Sequence, residues 1–466
     1  MTKPLGSKER FALGQQRRKQ MRRTVHAEWK AGERKESPLK LLAASMRGRV
    51  SALVALKYER MACSPFGYFR GAVPVMAYDL SLVGNTGILS QLCGDAHVRN
   101  LGAYAGPDGR LVFDINDFDE TIPGPFEWDV KRMATSLVLA GREAGAKNTH
   151  CREAAAVFME RYRYCMTAFA RMPVLEMGRY QVHRLKDVSP VEGILRMAER
   201  ATPMHSLLTL TEVEKHTGAK KTAAKLAKKK RGETAAVAAA QPGRVFRTMA
   251  PVLTRVKGEM ADRVVASLGP YMDSLLRERR HLFSQYRPVD VAFKVVGTGS
   301  VGLRDYCVYM EGNGAKDPLF IQIKEEVASG YAPYIGSVQG ASNRRGTYHQ
   351  GRRVVEGERA MQMQSDPFLG WTTMDGREYL VRQLNDHKAS IRLTDLKAAG
   401  LMEYAAVCGD LLARGHARSG DCIMLAGYLG KSARFDDAVV RFAEAYADQT
   451  ERDWKQLMQW MKRRKA

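Results

Sequence analysis

The sequence predicts an α+β protein with a small β-rich lobe and a large helical lobe. Three observations lead there. Apolar residues recur at helical spacing in Val130–Ala140, Cys151–Ala168 and Phe435–Met461. Short β-branched and aromatic runs crowd instead into one region, from Val291 to Leu384, broken by glycine-rich turns. Between these patterns stand two carboxylate motifs, CGDAHVRN at Cys93–Asn100 and NDFDE at Asn116–Glu120.

In chain order, residues 1–40 read as a basic N-terminal arm, and residues 41–205 as a helical lobe holding both motifs. Residues 206–245 read as a basic flexible insertion, and 246–395 as connecting helices followed by the β-rich lobe. Residues 396–466 add C-terminal helices that complete the large lobe. At 466 residues with 45% hydrophobic content the chain can bury a sizeable core. No apolar run approaches the roughly 18 residues of a membrane helix, and the polar, basic opening residues argue against a signal peptide. Seven scattered cysteines without a CxxC pair fit reduced thiols in a cytoplasmic protein. Much of the net charge of +24 lies in Arg17–Lys19, Arg22–Arg23 and Lys220–Arg231. The last run is read two ways, as a weak non-specific site for an anionic partner or as a solvated linker. No RNA- or DNA-binding fold signature accompanies it.

Arg110–Ile115 alternates apolar positions after a Pro-Asp-Gly turn, so it predicts a strand that brings Asp117 back toward the Asp95 loop. Phosphoryl transfer needs a carboxylate to orient the attacking hydroxyl and hard oxygen ligands for Mg²⁺ at the phosphates. Asp95 suits the first role, Asn100 and Asp117 the second, with Asp119 assisting a second metal. The competing reading is a surface loop, because Asp, His and Asn are common turn residues.

Such a centre also needs a phosphate-covering loop and a lysine, and nothing before Cys93 fits. Downstream, Val291–Val296 predicts a strand, Gly297-Thr-Gly299-Ser300-Val-Gly302 a glycine loop, Tyr306–Met310 a second strand, and Leu319–Lys324 a third ending in lysine. That order is the one that covers ATP in protein kinases. A dinucleotide-binding fingerprint would require the glycines to open a helix, whereas the residues after Gly302 favour a strand. A helix over Arg353–Gln364 then carries Glu356 and Glu358 on different faces. One of them is expected to hold Lys324, and Glu356 is preferred. Tyr379–Leu384 reads as the strand leading to an adenine-contacting segment, and Leu401–Arg418 as an amphipathic helix. The parts therefore occur in rotated order, which predicts a circularly permuted protein-kinase-like fold. Upstream, Ser64–Gly71 reads as a loop bounded by Pro and Gly. Its Arg70 either binds a phosphate or acidic substrate, or braces the fold on a carboxylate.

GDAHVRN followed by NDFDE resembles the motifs of aminoglycoside phosphotransferases. The resemblance implies that Asp95 is the catalytic base, Asn100 and Asp117 the metal ligands, and Asp129 in FEWD a brace for the catalytic loop. Many of those enzymes read HGD where this chain has Cys93-Gly-Asp, so no role passes to that position, and His97 is read as a loop-bracing hydrogen-bonder. SPFGYFRG, CGDAHVRNLG, FDINDFDETIPGPFEWDVKR, VVGTGSVGLRDY, VVEGERAMQMQSDPFLGW and HARSGD further resemble the bacterial family called domain of unknown function 2252. The function expected is an ATP- and Mg²⁺-dependent phosphotransferase acting on a hydroxyl of an unknown acceptor. The alternatives are a nucleotide-binding pseudokinase, a basic scaffold, or nucleotidyl transfer in the same pocket.

Overall fold

The computed structural model describes residues 4–181, 188–214, 243–336, 348–384, 389–397 and 399–465. The basic run Lys220–Arg231 lies outside the described residues, as do residues 385–388, which follow the strand expected to reach adenine.

The motif region folds as two small antiparallel pairings. β1 (Leu89–Leu92), β2 (Leu101–Ala105), β3 (Leu111–Ile115) and β4 (Ile122–Pro125) pair as β1 with β4 and β2 with β3. The expected Arg110–Ile115 strand is thus β3, starting one residue later. CGDAHVRN joins β1 to β2 and NDFDE joins β3 to β4, so both motifs emerge at the same end of these pairings. The Asn116 N–H donates to Asn100 O at 2.9 Å and closes that end.

The helix Phe126–Glu143 follows at once and is buried from Phe126 to Gly141. Such burial obliges each polar side chain to find a partner. Glu127, for example, accepts from the Thr86 N–H at 2.6 Å. Helices Asn148–Phe169, Ala399–Ser419 and Arg434–Lys465 pack around it and share one apolar core through residues such as Leu137, Phe158, Leu411 and Phe442. Each contains the helical segment its periodicity predicts. Ser64–Gly71 departs from expectation: Pro65–Gly71 is a helix. Ser64 caps it, its Oγ accepting the Gly67 N–H at 2.9 Å, and Pro65 occupies the first turn where a missing N–H costs nothing.

The ends of the basic insertion are folded. β5 (Thr211–Val213) pairs with β6 (Arg244–Phe246), and helix Pro203–Leu210 runs into the start of the segment read as linker. Then come β7 (Leu253–Val256), three short helices between Glu259 and Phe283, β8 (Arg287–Lys294), β9 (Asp305–Glu311), β10 (Pro318–Glu325), β11 (Gly370–Met374) and β12 (Arg377–Gln383). These form one six-stranded antiparallel sheet in the order β11-β12-β10-β9-β8-β7, over a second core containing Val264, Tyr271, Val308, Ile321 and Val381. The short β13 (Ala389–Ser390) joins β2. The glycines Gly297–Gly302 turn β8 into its antiparallel neighbour β9, so they open no helix, and the dinucleotide-binding reading fails. Among the described residues, no helix is long and apolar enough to cross a membrane.

Candidate functional site

A cleft of about 710 Å³, open to solvent, lies where the motif loops, the glycine hairpin and the N-terminal helices meet. Asp95, His97, Asn100, Asp117 and Asp119 line it together with Gly297, Gly299, Ser300 and Arg70.

Asp129 builds the floor. Its carboxylate accepts the Cys93 N–H at 2.7 Å and the Gly94 N–H at 3.0 Å, and His416 Nε2 lies 3.3 Å from it. Two backbone donors of the Asp95 loop are thereby satisfied by one buried side chain. Gly94 permits the loop its course: φ is +82°, and a Cβ there would lie 2.1 Å from Glu120 O. This contact locks the two motifs to one another. Helix Ala399–Ser419 ties the assembly to the C-terminal part of the chain. Arg414 forms a buried ion pair with Asp114 of β3, and Tyr404 donates to Val98 O at 2.8 Å.

Arg132 lies three residues after Asp129, on the same helical face. Its Nε donates to Asp95 Oδ1 at 2.8 Å, its Nη2 also reaches that oxygen, and it caps the Phe69 ring at 4.2 Å. One oxygen of Asp95 is held and Oδ2 is left facing His97 Nε2 at 3.5 Å. Burial raises the Asp95 carboxyl above the ordinary carboxylate range, with Arg132 pulling against it. Burial and the cation Arg70 hold His97 well below its usual value, so its ring is neutral. Its Nδ1 accepts the Arg99 N–H at 3.2 Å, and its Nε2 lies between Arg70 Nε and Asp95 Oδ2. Asn100 spends its amide nitrogen on Asp95 O at 2.8 Å and keeps its carbonyl oxygen for the cleft.

Lys324, at the end of β10 and 3% exposed, ion-pairs with Asp119 and lies 3.9 Å from Asp117. Burial works against the ammonium, but Asp119 and Asp117 outweigh it and raise its pKa. Burial would likewise raise Asp119, but Lys324 carries it below the ordinary range; Asp117, farther from the lysine, is raised by burial and by Asp119. Oδ1 of Asp117, Oδ1 of Asp119 and Oε1 of Glu326 are buried without a protein partner, and all three residues line the cleft. Among the described residues no cage of three or more His, Cys, Asp or Glu is preformed. Mg²⁺ asks for less, being held by one or two carboxylates plus phosphate and water. The orphaned oxygens of Asp117 and Asp119, with the Asn100 carbonyl, fit that donor set.

The glycine hairpin is stitched to the N-terminal helices through its carbonyls. Lys57 donates to Gly299 O, Arg60 to Gly297 O, Arg49 Nη1 to Val301 O at 2.6 Å, and the Val50 N–H to Gly302 O at 2.7 Å. Gly297 and Gly302 have φ of +65° and +90°, which a side chain would strain. Ser300 Oγ donates to Val296 O at 3.2 Å inside the turn.

Two expectations are corrected. Glu356 does not hold Lys324: it faces outward and pairs with Arg352 at 2.7 Å, because Arg353, Val354, Gly357 and Glu358 occupy the inner face of helix Gln350–Met361. The lysine's carboxylates come instead from the NDFDE loop. Of the two readings of Arg70, the brace on a carboxylate is not found among the described residues; its Nε lies 3.4 Å from His97 Nε2. Residues that the sequence reading passed over are Arg132, Lys57, Glu326 and Arg353. Arg353 donates to Asp119 O at 2.8 Å, Val327 O at 2.9 Å and Thr121 O, clamping the NDFDE loop to the end of β10. Gly357 seats the same helix on Thr121, where a Cβ would come within 2.4 Å of Oγ1. The offset of Arg132 from Asp129 was a readable signal; nothing local distinguishes Lys57 or Arg353 from surface cations.

No curated protein and no solved structure matches the chain. A family match covers residues 49–460, which include every cleft residue described above. The chain belongs to the family described as "Uncharacterized protein conserved in bacteria (DUF2252)".

Proposed function

We propose that the protein is an ATP- and Mg²⁺-dependent phosphotransferase with a circularly permuted kinase-like arrangement, working in the reducing cytoplasm. One observation carries the reading. Lys324 ion-pairs with Asp119 and approaches Asp117 to 3.9 Å, although more than 200 residues separate them, and those two aspartates line one cleft with Asp95 and the glycine hairpin. The sheet supplies the nucleotide parts in the required succession: glycine hairpin β8–β9, then lysine strand β10, then β12 beside it. The seven cysteines are free thiols, in keeping with the compartment.

In the reaction proposed, Asp95 Oδ2 receives the proton of the acceptor hydroxyl as its oxygen bonds to the γ-phosphorus of ATP. The bond from that phosphorus to the β–γ bridging oxygen breaks, and ADP leaves with the electron pair. Arg132 holds the Asp95 carboxylate through its other oxygen. Asn100, Asp117 and Asp119 would hold Mg²⁺, whose chemistry is to neutralise charge developing on the phosphates. Lys324 and the hairpin N–H groups would position the triphosphate.

Asp95→Asn tests the assignment. ATP labelled at the γ- or the α-phosphate, incubated with the protein, separates phosphoryl from nucleotidyl transfer. The variant should lose roughly 10²–10⁴ in turnover while its melting temperature still responds to Mg·ATP. Undiminished turnover in the variant would remove Asp95 from the base role, and transfer of the α-label would replace phosphoryl by nucleotidyl chemistry.

A further inference from the structure

Three of the cleft carboxylates have their own partners. Arg132 holds Asp95, Lys324 holds Asp119, and Glu120 accepts the Gly330 N–H at 2.6 Å. Three cations lining the same cleft are treated differently. Among the described residues, Arg49, Lys57 and Arg70 make no ion pair, although all three have left bulk water in part or whole. Arg49 and Lys57 spend donors on carbonyls of the glycine hairpin. Among the described residues, Arg70 alone of the three makes no hydrogen bond from its terminal guanidinium nitrogens; its Nε rests on His97 at 3.4 Å, and Arg99 stands close enough to repel it.

The placement of that free fork is informative. Arg70 Nε and Asp95 Oδ2 approach the same nitrogen, His97 Nε2, at 3.4 and 3.5 Å. They therefore stand within a small molecule's width of each other, and Asp117 of the Lys324 pair acts on both. A planar guanidinium whose terminal Nη1–Nη2 edge is free matches the paired oxygens of a carboxylate or phosphate. A neutral or cationic alcohol bound there would leave this cation without a partner, which is costly in a desolvated site.

We propose that the acceptor is an anionic alcohol, carrying a carboxylate or a phosphate ester near its reacting hydroxyl. Arg70 takes the anionic group while Asp95 Oδ2 takes the hydroxyl. The word acceptor rests on the phosphotransferase reading; the anion site stands on the geometry of Arg70.

Calorimetric titration of the full chain tests this, with D-glycerate, glycerol 3-phosphate and uncharged glycerol as probes, each with and without Mg²⁺ and a non-hydrolysable ATP analogue. Wild type should bind at least one anionic probe about tenfold or more tighter than glycerol, and the tighter of the two tells carboxylate from phosphate. Arg70→Met should erase that preference and leave analogue binding unchanged. Arg70→Lys, which keeps the charge and loses the fork, should fall between them and guards against a folding defect in the methionine variant. The proposal is overturned if glycerol binds as tightly as the anions, if Arg70→Met keeps the preference, or if the anions displace the analogue, which would give Arg70 to the nucleotide phosphates. The two readings fail separately. An Arg70-dependent anion response without analogue binding supports the anion site and removes the phosphotransferase. Analogue binding without that response removes the anion site alone.

Discussion

Lys324→Met should destabilise the protein in a pH-dependent way, and the structure sets both the size and the sign. The ammonium is 3% exposed and is the cation between Asp119 and Asp117, with Glu326 also acting on it. Removing one member of a buried ion pair costs about 3–5 kcal/mol, because the other charge is left uncompensated. The Asp117 and Asp119 side chains are 37% and 23% exposed, so water shares the load and the lower end, about 3 kcal/mol, is expected. In the wild type the folded pKa of Asp119 is depressed; its contribution is present above the unfolded carboxylate range and is lost as pH falls through the folded value. Without Lys324, burial and mutual repulsion raise both aspartates, which then favour folding only when protonated. The deficit of the variant should therefore be greatest near pH 7 and shrink toward pH 4. Urea midpoints of both proteins across that interval measure it, and added MgCl₂ should recover part of the loss at pH 7 if the carboxylates take the ion. Equal stability at pH 7, or a deficit that does not change with pH, would refute the charge balance described.

Two further perturbations separate neighbouring residues that sequence alone leaves equivalent. Glu356→Ala should change stability by no more than about 0.5 kcal/mol and leave nucleotide binding intact, since its ion-pair partner among the described residues is an exposed arginine four residues away; a large loss in a thermal melt would restore it to the lysine. Asp305, 3% exposed in β9, is raised to about 6, first by burial, against Lys324 and Lys294. A raised folded pKa contributes stability that is complete below the unfolded value and lost as pH rises through about 6. Asp305→Asn should therefore gain on the wild type by roughly 2–3 kcal/mol between pH 4 and 7, read as a widening difference in urea midpoint; a narrowing difference would show the ionised form to be the favoured one.

Much of the site was legible before any coordinates, because its chemistry is concentrated in short motifs. Asp95, Asn100, Asp117 and Asp119 sit within 25 consecutive residues joined by one hairpin, and the pattern of turn and strand between them brings the ends together whatever the rest of the chain does. The long helices were readable for a similar reason: Asn148–Phe169 and Arg434–Lys465 carry their apolar stripe through several turns. Helix Pro65–Gly71 departs from the loop that its proline and glycines suggest, because Ser-Pro is also a capped helix start.

What only the tertiary structure decided are relations between distant segments. Sequence spacing showed that Glu356 and Glu358 face different ways, but which face is inner depends on the docking of Gly357 against Thr121. It gave Lys324 a glutamate of the following helix, Glu356; the fold supplies Asp119, more than 200 residues away, instead. Arg70 offered two equal readings because a side chain's freedom is a property of its surroundings. The surroundings here give the carboxylates to Arg132 and Lys324 and leave the Arg70 fork open to the cleft. Local periodicity reports the element to which a residue belongs, whereas the partner of a buried charge is chosen by packing, and packing is non-local.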